Sequence, residues 1–101
     1  MRLNQVQVDT LKRIAAEVFG PQAGLMVFGS RADDTRRGGD IDLYVTGVDE
    51  PMGKLLDEKL LFLVKAKQAL GDQRIDVVFA PASQEKRLPI HQEAERTGIP
   101  L

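Results

Sequence analysis

Two aspartates, Asp40 and Asp42, lie two positions apart in an apolar stretch that is typical of a β-strand. Because successive side chains of a strand point to opposite faces, both carboxylates lie on the same face. Two carboxylates held this close repel each other unless a positive charge lies between them. The pair therefore predicts a site for a divalent metal ion.

A Gly-Ser turn precedes this strand. Gly29 and Ser30 follow the short apolar run 25–28, and Ser30 stands where the N-cap of a short helix is expected. Backbone N–H groups at such a turn cradle phosphate groups. Arg31, the next residue, can add a charge-assisted hydrogen bond. Gly29, Ser30 and Arg31 are thus the candidate phosphate-binding residues.

A third carboxylate, Asp76, lies in a later predicted strand. Ile75, Val77 and Phe79 alternate with it, so Asp76 points away from the apolar face. If the strands are neighbours, three carboxylates converge beside the Gly-Ser turn. Carboxylates and phosphate oxygens are preferred ligands of Mg²⁺, and two such ions about 3.5–4 Å apart activate an attacking oxygen and stabilise a leaving one. This layout predicts metal-assisted phosphoryl or nucleotidyl transfer.

Each candidate residue has an expected role in such a reaction. Asp40 and Asp42 are expected to bridge two Mg²⁺ ions and the triphosphate. Asp76 is expected to bind the metal nearest the attacking hydroxyl and to lower the pKa of that hydroxyl or take its proton. Ser30, helped by Arg31, is expected to hold the β- and γ-phosphates.

The pattern of apolar residues predicts the helices and strands that position these residues. Together they are expected to form a small mixed sheet of three or more strands flanked by helices, which is an α/β (α+β) fold. A short helix is also expected over residues 31–34 and a loop over residues 36–39. The main expected elements are helices over residues 5–19, 51–70 and 89–97 and strands over residues 24–28, 40–48 and 74–80.

Apolar residues at helical spacing predict which helix faces are buried. Asp49 or Glu50 is expected to cap the second helix. Tyr44, on the aspartate face, is expected to be partly buried, and His91 to lie at the surface. The buried stripes are expected to be Leu11, Ile14, Ala15 and Val18 in the first helix and Leu56, Leu60, Leu63 and Val64 in the second.

The composition narrows the class of protein. The chain has 101 residues, the size of a single domain spanning residues 1–101, and its formal net charge of −1 gives no overall field to attract nucleic acid. It contains no cysteine, which excludes disulfides and thiolate catalysis. No apolar run approaches the roughly 20 residues that span a bilayer. We therefore expect a cytoplasmic protein with no membrane partner and no nucleic acid as direct substrate.

The order of these motifs resembles a known family. Gly29-Ser30, nine further residues, Asp40-Ile41-Asp42-Leu43 and the later Asp76 resemble the DNA polymerase β-type nucleotidyltransferase superfamily. The short chain is similar to its minimal nucleotidyltransferase branch, and the resemblance covers about residues 11–101. Many relatives have one residue more between the Gly-Ser turn and the first aspartate, so the phosphate loop is expected to differ in detail.

This resemblance implies a mixed sheet, Mg²⁺ dependence and a nucleoside triphosphate donor, with ATP favoured. It also implies a small helical partner protein of the HEPN or substrate-binding type. In such toxin–antitoxin pairs the nucleotidyltransferase neutralises its partner by adenylylating it. The leading hypothesis is transfer of AMP to a hydroxyl on such a partner, which makes the chain a protein adenylyltransferase.

Two other hypotheses remain open from the sequence. The domain would act without catalysis if it blocked a helical partner sterically, as a binding antitoxin or subunit. It would instead modify a small molecule if a partner chain supplied the helical acceptor-binding domain found in antibiotic-modifying relatives.

Overall fold

A computed structural model of the chain describes residues 3–29, 40–71, 74–81 and 86–101, with the backbone alone of Asp40. These residues form three helices and one mixed sheet, which confirms the predicted α+β class. The elements in chain order are α1 (Gln5–Phe19), β1 (Gly24–Phe28), β2 (Asp40–Thr46), α2 (Met52–Leu70), β3 (Arg74–Phe79), α3 (Pro89–Thr97) and β4 (Ile99–Pro100).

The sheet has four strands in the order β3-β2-β1-β4. β1 pairs antiparallel with β2 and with β4, whereas β2 and β3 are parallel and joined through α2. β4 was not predicted because two residues are too few to show an alternating pattern. It pairs with Met26 and Val27, and the backbone N–H of Leu101 donates to the carbonyl oxygen of Leu25 at 3.0 Å.

α1 and α2 cover one face of the sheet and enclose the main core. The predicted stripe of α1 is confirmed: three of its residues are buried and Val18 packs against them. The ring of Phe19 stacks on Phe62 of α2 at 5.2 Å between centroids and meets Phe79 of β3 edge-on at 5.5 Å. These three rings join two helices to the sheet. No helix of the described residues is long and apolar enough to cross a membrane.

The prediction for the buried face of α2 was wrong. Leu56, Leu60 and Val64 were expected to face the core, but they are 51%, 63% and 54% exposed. Leu63 alone of the predicted stripe packs against the core, and it is only partly buried.

The face that α2 buries instead is centred on Phe62 and Ala66, both fully buried. Residues 60–64 are all apolar, so a run of this kind presents apolar side chains all round the helix and its period does not select a face. The aromatic ring of Phe62, which stacks on Phe19, decides the orientation.

The ends of α2 and β2 also differ from the predictions. Pro51 is the N-cap of α2 and makes no side-chain cap bond, so neither Asp49 nor Glu50 caps this helix. β2 ends at Thr46, two residues early, because Gly47 has a φ of 79° and turns the chain. The predicted bounds of α3 are confirmed, with Pro89 at its first position and Gly98 as its C-cap.

α3 lies on the other face of the sheet. Its Ala94 is fully buried against Phe28 of β1 and Tyr44 of β2 in a second, smaller core. This face is the one that carries Asp42, since residues 42 and 44 alternate with the buried Ile41 and Leu43. The sheet therefore separates its main core from the aspartate face.

Candidate active site

The parallel pairing of β2 with β3 places two of the predicted site residues side by side. Asp42 is the register partner of Asp76. Partners in neighbouring strands lie on the same face, about 4.7–4.9 Å apart along the hydrogen-bonding direction. Asp42, in an interior strand, is half-buried, and Asp76, in the edge strand β3, is exposed. The fold thus brings together two carboxylates that are 34 positions apart in the sequence.

Gly29 borders the same point. It follows Phe28, the register partner of Asp42 across the β1–β2 pair, and its φ is +71°, a conformation that glycine adopts without strain. A Cβ built on Gly29 would lie 2.7 Å from Oδ2 of Asp42. The turn backbone therefore approaches the carboxylate as closely as a residue without a side chain allows.

The remaining predicted site residues are described only in part. The backbone of Asp40 begins β2 opposite Arg74, but its side chain lies outside the description. Ser30, Arg31 and the short helix and loop expected after them lie outside the described residues too. Within the described side chains, no three acidic, histidine or cysteine residues form a metal-binding group. The metal site stays a prediction, since the predicted third carboxylate is that of Asp40.

A hydrogen-bonded group that sequence reasoning missed closes one side of the aspartate face. The buried hydroxyl of Tyr44 donates to Oε2 of Glu95 in α3 at 2.6 Å, and the guanidinium of Arg87 pairs with Oε1 of the same carboxylate. Burial and the bond to Glu95 raise the pKa of Tyr44 to about 12. Arg87 and then the Tyr44 hydroxyl hold the pKa of Glu95 below its ordinary value. The group ties α3 to β2.

Two predictions about this face needed revision. Tyr44 was expected to be partly buried, but it is 1% exposed, and its partner stands 51 positions away in the sequence. His91 was expected at the surface; it is half-buried, and its ring lies 6.3 Å from the Tyr44 ring. Nδ1 of His91 accepts a hydrogen bond from the backbone N–H of Leu88 at 2.8 Å. The histidine therefore caps the start of α3.

The residues present fit a magnesium ion with a bound phosphate chain. Asp42 and Asp76 offer carboxylate oxygens, the ligands that Mg²⁺ prefers, from two strands that the parallel pairing holds in register. Gly29 has no Cβ, so its backbone can lie close to the carboxylate of Asp42. Backbone N–H groups at a turn of this kind are a typical place for a phosphate to bind.

Comparison of the chain with models of protein families and with curated proteins gave no match. The family resemblance therefore depends on the sequence motifs alone and stays a prediction.

Proposed function

We propose that the chain is a Mg²⁺-dependent nucleotidyltransferase that transfers AMP from ATP to a hydroxyl of a partner protein in the cytoplasm. The observation that carries the proposal is the in-register pairing of Asp42 with Asp76 beside Gly29. The order of these residues in the sequence predicts nucleotidyl transfer. That reaction requires carboxylates that lie close together, and Asp42 and Asp76 are partners in neighbouring strands.

The reaction assigns a task to each part of the site. The oxygen of the acceptor hydroxyl attacks the α-phosphorus of ATP, the bond between that phosphorus and the β-phosphate oxygen breaks, and pyrophosphate leaves. Bound Mg²⁺ supplies charge neutralisation for the triphosphate. Asp42, with Asp40, would hold the metal, and the exposed Asp76 would add a further ligand beside the attacking hydroxyl or take the proton that the hydroxyl loses. The turn that begins at Gly29 holds the phosphates.

A partner protein as acceptor is consistent with the position of Asp76. β3 is an edge strand and Asp76 is exposed on it, so an acceptor can approach from outside the sheet. The described residues are all used in the sheet, its three helices and their connections, and none of them forms a separate acceptor-binding lobe. A small helical partner of the HEPN or substrate-binding type is the proposed acceptor, with the chain as its antitoxin.

The substitution Asp42→Asn tests the proposal. We expect it to reduce transfer about 10²–10³-fold, as is typical when a group that stabilises transition-state charge is removed. The assay mixes the chain with ATP labelled at its α-phosphate, Mg²⁺ and the protein encoded beside it, and measures label on that protein. Chelation of Mg²⁺ should abolish the label.

Asp49→Asn is the matched control, because Asp49 is an exposed aspartate outside the site, and we expect it to leave transfer unchanged. Absence of label with every nucleoside triphosphate would contradict the proposal. So would full neutralisation of the partner by the double variant Asp40→Asn/Asp42→Asn, because the chain would then act by binding alone.

A further inference from the structure

α2 carries a row of apolar side chains that faces solvent. Met52, Leu56, Leu60 and Val64 follow at intervals of four residues and are 70%, 51%, 63% and 54% exposed. We call these four residues the α2 stripe. Side chains four apart form one ridge along a helix, and this ridge is about 18 Å long.

Neither the sheet nor α1 covers the α2 stripe. The sheet and main core lie against Phe62 and Ala66. α1 lies on a different flank, where Nζ of Lys65 is 4.0 Å from Oε2 of Glu17. Lys65 is about 160° around the helix from the centre of the stripe. The stripe is therefore unpartnered among the described residues, although its side chains are of the types that helices normally bury.

We propose that the α2 stripe pairs with the same stripe of a second copy of this chain, antiparallel, about a two-fold axis at Leu60. Three of the four residues are spaced symmetrically, since Leu56 and Val64 lie four residues on either side of Leu60, while Met52 lies opposite Gln68 of the second copy. In an isologous pair centred there, Leu56 of one copy faces Val64 of the other and Leu60 faces Leu60. The antiparallel arrangement also aligns the two helix dipoles favourably.

The charges beside the stripe agree with this arrangement. In the antiparallel pair Asp57 of one copy lies about 6 Å along the axis from Lys67 of the other, whereas a parallel pair places Asp57 beside Asp57. Lys59, half-buried on the other border, lies close to its own copy, and its long stem allows the ammonium group to stay in water. The net charge of −1 gives two copies little reason to repel each other.

The area is in the range of a weak dimer. The four side chains of the α2 stripe leave apolar surface on the order of 400 Å² in water. A stable interface buries about 800 Å² per partner. Polar residues on the rim, such as Asp57 and Lys67, provide the remainder.

Engineered cysteines test the register, because the chain has none of its own. In Leu60→Cys the two thiols face each other across the axis, so we expect mild oxidation to give a disulfide-linked dimer. Leu56→Cys should not link to itself, since its two copies lie about 12 Å apart along the axis, beyond disulfide reach. A mixture of Leu56→Cys with Val64→Cys should link.

Sedimentation of the purified chain tests association itself. We expect a species of twice the 11.2 kDa monomer mass, and Leu60→Asp should weaken dimerisation at least tenfold by placing two carboxylates at the axis. Val6→Asp is the matched control, because Val6 is 73% exposed on α1, outside the stripe, and it should dimerise as the parent does. Thermal unfolding of both variants checks that they are folded.

Three results would overturn the proposal. One is a monomer at all concentrations up to several hundred micromolar, including a monomer whose stripe binds a different protein. Another is a dimer that Leu60→Asp leaves unchanged. The third is efficient self-linking of Leu56→Cys, which would show a parallel pair. None of these measurements involves nucleotide, so failure here leaves the proposed transfer activity untouched.

Discussion

Gly29 contributes to the site by having no side chain. Its φ of +71° is a conformation that costs an L-residue about 1–2 kcal/mol. A side chain would also displace the carboxylate of Asp42, since the added Cβ would lie 2.7 Å from Oδ2. Both effects act on one position, so a single methyl group tests whether the close approach of turn and carboxylate matters.

Gly29→Ala should lower the free energy of unfolding by about 1–2 kcal/mol and weaken Mg²⁺-dependent ATP binding. Urea unfolding and calorimetric titration with ATP and Mg²⁺ measure the two effects. Gly53→Ala is the control, because a Cβ there meets nothing within 4 Å and the residue lies in α2, where alanine is the better helix former. Wild-type stability and ATP binding in Gly29→Ala would contradict this view of the turn.

At the scale of the element, two acids lie at the start of α2: Glu50 just before the helix and Glu58 in its second turn. Burial first, and then the hydrogen bond with Glu50, raise the pKa of Glu58, while Lys54 opposes them. Oε2 of each glutamate is buried without a hydrogen-bond partner among the described residues. Because the folded-state pKa of Glu58 is raised, its stabilising contribution is complete below the unfolded value of about 4.3 and is lost as pH rises through the folded pKa.

Glu58→Gln should therefore raise the free energy of unfolding at pH 7 by about 0.5–1 kcal/mol, because the amide keeps the shape without the second negative charge. The gain over the parent should shrink as pH falls toward 4. Urea unfolding at pH 4, 5, 6 and 7 measures the difference. Asp49→Asn, at an exposed acid outside this pair and outside the α2 stripe, should keep the free energy of unfolding within about 0.5 kcal/mol of the parent. A difference that does not change with pH would refute the explanation.

The elements also show how far the sequence determines the fold. Alternating apolar residues predicted β2 and β3 and the faces that they bury, because a half-buried strand has a period of two. The face of α2 could not be predicted, since residues 60–64 are apolar all round. The contacts of the site depend on the order of the strands: Asp42 meets Asp76 only because β3 lies parallel to β2. Local pattern carries no information about that order.

Contacts distant in sequence were missed for the same reason. Tyr44 and Glu95 are hydrogen-bonded across 51 positions, and nothing near either residue indicates the other. The resulting bond joins α3 to β2 on the aspartate face. The fold of the chain, and not a local sequence motif, therefore brings Tyr44 and Glu95 together beside the candidate site.

Across the whole molecule, the main core and the candidate site residues lie on opposite faces of the sheet. α1 and α2 pack against one face, and Asp42 and Asp76 belong to the other. β2 belongs to both, because the buried Leu43 alternates with Asp42 and Tyr44. We therefore expect loss of packing in the main core to reach the site through the β2–β3 pairing, without any change in the site residues themselves.

Phe62→Ala tests this dependence. The ring is fully buried and stacks on Phe19, so its removal should lower the free energy of unfolding by about 3–5 kcal/mol, a large part of the roughly 5–15 kcal/mol available to a domain. Phe62→Leu, which keeps most of the volume, should cost about 1–2 kcal/mol and remain folded. Urea unfolding at one fixed protein concentration measures both losses.

Val6→Ala is the control for this series, because Val6 is exposed and its truncation should change the unfolding free energy by no more than about 0.5 kcal/mol. If core packing supports the site through β2, Phe62→Leu should also weaken Mg²⁺-dependent ATP binding at temperatures where it begins to unfold, and restore it on cooling. Val6→Ala should bind ATP as the parent does throughout. Phe62→Ala with parental stability would show that the three-ring cluster does not hold α2 on the sheet.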